Sequence, residues 1–577
     1  MANEQYDLVV VGAGVAGMAA AIVAHNKGLR VVIVEKTAYV GGTTSFSGGV
    51  SWVPNSRQNR ELGVEDSVER ATQYLDSILG NLPEREARIE YLKRAPEAVA
   101  FLESVSHLKF FVRPSNSPDY FPDVPGAEKR GRAITPVNYD GRLLGEKFRD
   151  IRPPLPELCL FGTAMLDGPD LYHLLNARSS LRSAWHSLAL VLRHARDRIF
   201  YRSYGRGTRL TGGNAVIGRL YKSIMEREIP VLLNSPLVGL VKDRDRVRGV
   251  AVQTESGRRE IRAGCGVVLA TGGFPWGAKL RKDNAGDVPV GYSATSRDST
   301  GDGISIAVEN GAEFLTSNSN PAFWTPVSIG ERRDGSLAHF PHLMADRSKP
   351  GLIAVNGDGK RFYNESENYH DLVCAMIGKS KGKSRPPFHL ICDHVFIKKY
   401  VFGMVAPLAS ARRRHIRSGY LIKARSIDEL ASKVGVDTAA LRSTLERYNR
   451  DAAVGTDTEF GKGSSAYNRY LGDPSHKPNP CLAPIETAPF YAIRVYPGDI
   501  GTAYGLSVDL QSRVLDGSSR PIDGLYACGN DRNSIMGGLY PSGGITVGPA
   551  LTFAYLAALD AANTKSAHVG RPQSIAS

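Results

Sequence analysis

The chain has 577 residues, 42% of them hydrophobic, and a formal net charge of +14; this length exceeds one ordinary domain and points to two. Its six cysteines (Cys159, Cys265, Cys374, Cys392, Cys481 and Cys528) form no CxxC pair, which argues against a zinc or iron–sulfur site and against a disulfide framework, and fits reduced thiols in a cytoplasm. The basic excess comes with no helix-turn-helix, zinc-finger or RNP pattern, so it is not read as nucleic-acid binding.

The segment before the apolar run at 8–24 carries Glu4 and Asp7 and no Lys or Arg, which is wrong for a signal peptide. With no other long apolar run, no transmembrane helix is expected. Asp7–Val11 predicts a buried parallel strand, 15–26 a helix, and Leu29–Val34 a second strand ending at Glu35. Between them stands Gly12-Ala-Gly14-Val-Ala-Gly17. In this complete βαβ context Gly12 permits the tight turn, Gly14 lets the backbone approach a pyrophosphate, and Gly17 lets helix pack on strand. The helix N-terminus offers free N–H groups to the phosphates. Glu35 is placed for a ribose 2′-OH and would repel a 2′-phosphate.

NAD and FAD both use this fingerprint. The stretch at 41–49, Gly-Gly-Thr-Thr-Ser-Phe-Ser-Gly-Gly, follows the ribose strand directly and suits a chain running along a longer cofactor. FAD is therefore expected, against Lys36, Gly42, Thr43, Thr44, Ser47, Gly48 and Gly49. Two later strand–glycine elements, Val267 to Gly273 and Gly524 to Asn530, add Ala270, Thr271, Gly272, Gly529 and Asn530, with Ile545 and Val547 beyond them. Because the last element comes so late, the nucleotide domain must be assembled from both ends of the chain.

The expected fold is thus α/β: a Rossmann-type FAD-binding domain of residues 1–320 plus 488–577, with an inserted α+β substrate domain at 321–487. The insert should hold a helical stretch from Ser426 to Ala453 with Leu430, Leu441 and Leu445 on a packed face. Trp324 is read either as a pocket wall or as ordinary core, and residues 562–577 as a loose tail.

Between about 137 and 211 a basic amphipathic insertion interrupts the first domain. Gly168-Pro169-Asp170 predicts a helix start, and Leu171, Leu174, Leu175, Leu181, Trp185, Leu188, Leu192 and Ile199 follow a 3.6-residue period. Arg178, Arg182, Arg193, Arg196, Arg198 and Arg202 fill other positions, with Asp197 the only acid. Three readings stay open: a helix packed on the protein with solvated arginines, contact of residues 171–202 with an anionic membrane, or an oligomer contact.

The stretches EKTAYVGGTTSFSGG, GLYACGN and RSKPGLIAVNGDGKRFYNES resemble the fumarate reductase and 3-ketosteroid dehydrogenase superfamily of FAD enzymes over nearly the whole chain, residues 137–211 excepted. Three segments are similar to the 3-ketosteroid Δ1-dehydrogenases. They are Ser117-Pro-Asp-Tyr120 with Gly131-Arg132, Asn364 to Tyr369, and Tyr540-Pro-Ser-Gly-Gly544 with Ile-Thr-Val-Gly-Pro549. In the last, Ser542 replaces the family's usual glycine. The fumarate reductases' arginine proton donor has no counterpart in Ser534 to Tyr540, which disfavours a dicarboxylate reductase.

The resemblance implies desaturation beside the ketone of a steroid, in steroid or sterol degradation. Tyr540 and the Gly544 N–H would hold the ketone oxygen as an oxyanion hole. Tyr369 would remove the α-proton as tyrosinate, assisted by Tyr120, and FAD would accept the hydride. A quinone or similar molecule would reoxidise the cofactor. His370 is a rival base. Alternatives kept open are the same chemistry on a smaller cyclohexanone-type ketone, a fumarate-reductase-like flavoprotein, and a non-catalytic flavin- or steroid-binding protein.

Overall fold

The computed structural model describes residues 5–113, 117–286, 288–380 and 387–569, without the side chains of 379–380 and 566–569. Its first sheet is built around the strand Gln5–Val11, which is flanked in parallel by Val31–Val34 on one side and by Gly257–Leu269 on the other. Val9, Val10, Val32, Ile33, Val267 and Val268 are fully buried, as expected of β-branched strands covered on both faces. The long Gly257–Leu269 strand works twice. Its first half pairs antiparallel with Arg246–Thr254, and its second half runs parallel to Gln5–Val11 and to the late strand Pro521–Ala527. The two ends of the chain therefore meet in one sheet.

The helix Val15–Asn26 follows the first strand at the expected residues, and its apolar surface packs on the C-terminal helix Val547–Val569. That last helix takes in residues 562–569, which the sequence assigns to a loose tail; the apolar alanine-rich face that reaches Ala561 carries the helix on. The rest of that tail, 570–577, lies outside the described residues.

A second, mixed-origin layer follows. Its sheet runs Leu337–Pro341, Ala322–Glu331, Phe490–Thr502, Phe388–Cys392, Leu352–Val355, with Ile422–Ala424 also on the Phe490–Thr502 strand. The helix Tyr369–Ser380 covers one face through Leu372, Val373 and Met376, and two helices cover the other through Leu430, Leu441 and Leu445. Those two are Ile427–Val434 and Thr438–Val454, separate where one helical stretch is expected. Gly435 ends the first in left-handed conformation (φ +77°), and Asp437 caps the second by accepting the Ala440 N–H at 2.7 Å. Phe490–Thr502 bonds into this second sheet, so the chain rejoins the first sheet after residue 502 and not at 488. Trp324 sits in the core of this layer, its indole N–H donating to Asn320 at 3.1 Å.

The insertion is closed at its neck by Tyr139–Asp140 pairing with Arg209–Leu210. It holds two helices, Gly168–Leu175 and Leu181–Phe200. The first begins at a capping box in which Asp167 and Asp170 each accept the other's backbone N–H. On the second, only Ser183, Leu190 and Asp197 are buried; Leu181 is 92%, Trp185 73% and Phe200 75% exposed. The apolar stripe predicted from the period therefore faces largely outward. No helix among the described residues is long and apolar enough to cross a membrane.

Candidate active site

One elongated cavity of about 1810 Å³, its open mouth included, runs from the βαβ turn to the junction of the two layers. Gly12, Gly14, Glu35, Lys36, Gly42, Thr43, Thr44, Ser47, Gly48, Gly49, Ala270, Thr271, Gly272, Gly529, Asn530 and Val547 line it. Gly12 has φ +106°, and a Cβ there would stand 2.3 Å from the Ala270 carbonyl oxygen, so only glycine fits this turn. A Cβ on Gly14 or Gly42 would meet no protein atom within 4 Å, which leaves the backbone open to a ligand at both places. The helix starting at Val15 has no side-chain cap, so its N–H groups face the cavity end free for phosphate oxygens. Gly17 does not line the cavity; it packs on Gly12, where a Cβ would approach the carbonyl to 1.9 Å. Ile545 stays in the core, and its neighbour Thr546 reaches the cavity instead.

The Glu35 carboxylate is fixed by the Ala13 N–H at 2.9 Å and the Thr37 N–H at 3.0 Å. Lys36 donates to Thr300 and Asp302, both at 2.7 Å. Arg152 pairs with Asp298 at 2.7 Å. The loop carrying Asp298, Thr300 and Asp302 lines the cavity, and no sequence motif singles it out. Asp531 accepts the Thr271 and Gly273 N–H groups, which locks the middle and late glycine turns together. The donors, the open glycines and the carboxylate fit a dinucleotide along this channel.

At the inner end, three tyrosines from distant segments converge with Gly544 on the cavity wall. Ring centroids lie 5.8 Å apart for Tyr120–Tyr369, 5.9 Å for Tyr120–Tyr540 and 5.0 Å for Tyr369–Tyr540. The Tyr120 and Tyr369 hydroxyls are 3.2 Å apart. All three side chains are buried. Burial pushes each phenol above its usual value, most strongly for Tyr120 and Tyr369. Tyr467, which no motif marks, lies against Tyr120 at 4.6 Å between centroids.

Each tyrosine is held by its own scaffold. Asp119, next to Tyr120, accepts from the Trp52 indole at 2.9 Å and from Arg132 at 2.8 Å, and Arg132 in turn grips Asp66 at 2.7 Å. Burial raises the Asp119 carboxyl, opposed by Arg132, Trp52 and the Ser542 hydroxyl. Ser542, where the family has glycine, thus serves as a donor to this buried carboxylate. The Tyr120 N–H donates to the Pro541 carbonyl at 3.0 Å, tying the first motif to the last. Tyr369 opens the helix Tyr369–Ser380, with Asn368 accepting the Asp371 N–H at 2.9 Å. Gly544 has φ +94°, and its carbonyl accepts the Trp52 N–H at 3.1 Å.

His370 is not on the cavity wall. Its Nδ1 accepts the Trp324 N–H at 3.1 Å, and burial pulls the imidazole down to about 3. With that lone pair occupied, its basicity lowered and no place on the cavity wall, the ring is unsuited to the base role considered for it.

The FAD binding domain family model matches residues 7–547, and the chain belongs to that family of flavoproteins. Within it, the chain groups with the ketone dehydrogenases. It is 37% identical to a 3-oxosteroid 1-dehydrogenase of Mycolicibacterium smegmatis, over 98% of this chain and 99% of that one. It is 36% identical to a 4-oxocyclohex-2-ene-1-carboxylate 5-dehydrogenase of Sinomonas cyclohexanicum, over 98% and 96%. The crystal structure of a 3-ketosteroid Δ1-dehydrogenase from Sterolibacterium denitrificans, in complex with 1,4-androstadiene-3,17-dione, superposes with a TM-score of 0.90 at 35% identity, over 97% of this chain and 100% of that one.

Proposed function

We propose that the protein is an FAD-dependent 3-ketosteroid Δ1-dehydrogenase, which removes two hydrogens from adjacent ring carbons beside a ketone. The observation that carries this reading is the meeting of Tyr120, Tyr369, Tyr540 and Gly544 on one wall of the cofactor channel. Tyr540 O–H and Gly544 N–H bind the ketone oxygen, and donors aimed at the developing enolate acidify the α-carbon. Tyr369 takes the α-proton as tyrosinate, and Tyr120, 3.2 Å away, stabilises the anion or passes the proton on. FAD, when bound, accepts the hydride that leaves the neighbouring carbon. On this reading the FAD-binding unit is residues 1–320 plus the chain beyond the long strand, and the substrate unit lies between.

The substrate class follows from the wall. Phe46, Val50, Leu155, Pro341, Leu343 and Met344 give the channel an apolar lining. Lys36 and Arg152, the cations among the described lining residues, are both already paired with carboxylates. A carboxylated ring such as the substrate named for the Sinomonas relative would need a free cation; a steroid needs the apolar wall. Anaerobic flavin bleaching should therefore be fast with a C27 stenone or a C19 dione, and at least about 100-fold slower with a six-membered 4-oxocarboxylate, a gap of two factors of ten in transition-state stabilisation. The reverse order would move the assignment to the smaller ketone. Bleaching by no ketone at all would leave only a binding protein.

The outward stripe of Leu181, Trp185, Leu192 and Phe200 beside Arg182, Arg193 and Arg198 supports docking on an anionic membrane. There the enzyme would meet a sterol-like substrate in the bilayer and reduce a quinone. Replacing Trp185, Leu192 and Phe200 by Ser should abolish co-sedimentation with phosphatidylglycerol vesicles and leave turnover of a water-soluble steroid intact. Unchanged co-sedimentation would refute membrane docking through this face.

A further inference from the structure

We propose that Arg347 is a positioning residue for the proton-abstracting tyrosine: its guanidinium ties the loop before Tyr369 to the cavity wall and sets a fixed positive charge behind the Tyr120–Tyr369 pair. The inference rests on the proposed role of Tyr369.

The Arg347 side chain is buried. Its Nε donates to the His342 carbonyl at 2.7 Å, and one Nη to the Leu343 carbonyl at 2.8 Å. The other Nη donates to the carbonyls of Glu365 at 2.6 Å and Glu367 at 2.9 Å. Leu343 lines the channel, and Glu365 and Glu367 lie in the segment that delivers Tyr369. One planar fork therefore clamps the substrate wall to the base-bearing loop.

All four of these bonds go to neutral carbonyls. The neighbouring carboxylates are engaged elsewhere. Asp346 bonds His342 at 2.7 Å and the Gly403 N–H at 3.0 Å. Glu365 is held by Arg361 at 2.8 Å. Glu367 accepts from Asn468 at 2.9 Å, and burial raises its carboxyl towards the neutral form. Burying a charge without a paired carboxylate is costly, and such a charge acts at longer range than a neutralised pair because little solvent screens it. Burial lowers the Arg347 guanidinium from its usual value, and Tyr467, Asp346, Tyr120 and Tyr369 oppose that; Glu367 also feels its charge, and the three phenols belong to the tyrosine cluster. The groups in ring contact with Tyr369 are Tyr120 and Tyr540; Tyr467 packs behind Tyr120, and the neighbouring His370 is held neutral by burial. None of these groups carries a fixed positive charge at physiological pH, whereas the Arg347 guanidinium, coupled to the Tyr120, Tyr369 and Tyr467 phenols, does.

The test is the pH dependence of kcat in the FAD-loaded enzyme, for Arg347→Gln and Arg347→Lys. Arg347→Gln is expected to move the acidic limb up by at least about one pH unit, a tenfold loss of rate at fixed pH below the limb, with KM changed less than threefold. Arg347→Lys, which keeps the charge and loses the fork, is expected to keep the limb within about 0.3 unit while kcat falls. An unmoved limb in Arg347→Gln, or equal losses in both variants at every pH, would overturn the inference. If Arg347→Gln does not accumulate as yellow holoprotein, the Lys variant decides: a displaced limb despite the retained charge refutes it. Tyr369→Phe separates the two levels. Full turnover in that variant refutes the base assignment itself, whereas a dead Tyr369→Phe with an unmoved Arg347→Gln limb refutes only the role of Arg347.

Discussion

Tyr369→Phe is expected to lower kcat by about 10³-fold, the usual worth of a positioned general base, while the protein remains yellow. The substitution removes one hydroxyl from a ring whose packing against Tyr120 and Tyr540 is unchanged in shape. Tyr540→Phe removes one of the two proposed donors to the ketone oxygen and is expected to cost about 10²-fold in kcat. The two differ in pH behaviour. Burial holds the Tyr369 phenol above its ordinary value, so below that value the tyrosinate fraction grows tenfold per pH unit and the wild-type kcat climbs towards alkaline pH. Tyr369→Phe should lose this climb and Tyr540→Phe should keep it. The upper end is set by stability. The folded chain keeps its tyrosine protons more tightly than the unfolded chain, so this contribution to stability is fully present below about pH 10 and is lost as pH rises further. Turnover within tenfold of wild type in both variants would remove the tyrosines from the mechanism.

Much of the cofactor site is legible in sequence because its signals are local. Gly12, Gly14 and Gly17 encode a turn, an open backbone and a close contact within six residues, and each is found in that setting. The tyrosines are legible only as members of motifs; that Tyr120, Tyr369 and Tyr540 face one another is a matter of long-range packing. What escaped is non-local. Phe490–Thr502 joins the second sheet because it is long enough to pair with Ala322–Glu331 along one half and Phe388–Cys392 along the other, which no local pattern records. The 3.6-residue period in the insertion marks a face, yet period alone does not say whether Trp185 meets protein or solvent. Tyr467 belongs to no motif, and Arg347, although it opens the RSKPG stretch, shows no chemistry in one dimension; both gain theirs only from their neighbours.

The segment leading to Tyr369 also carries a buried charge cluster. Arg361→Met is expected to destabilise the protein by about 3–5 kcal/mol, the cost of stranding buried charge. Arg361 bonds Glu365 at 2.8 and 2.9 Å and Asp457 at 2.9 and 2.9 Å, with the Arg361 and both carboxylate side chains shielded from solvent. Burial alone would raise both carboxyls. Arg361 reverses this, leaving Glu365 below its usual value and Asp457 at about 2. For groups lowered in the folded state, the stabilisation is present above the unfolded value near pH 4 and disappears only as pH falls through the folded one. In Arg361→Met the order inverts: Lys462, 3.7 Å from Glu365, cannot neutralise two carboxylates, and burial lifts them. They then take up protons as pH falls from 7 towards 5, which relieves the penalty. The deficit in unfolding free energy, measured by urea titration, should therefore be largest at neutral pH and shrink on acidification. Adding Glu365→Gln to Arg361→Met should recover part of it at pH 7. A deficit independent of pH would assign the loss to packing of the guanidinium on Tyr448 and Phe460 and not to the stranded carboxylates.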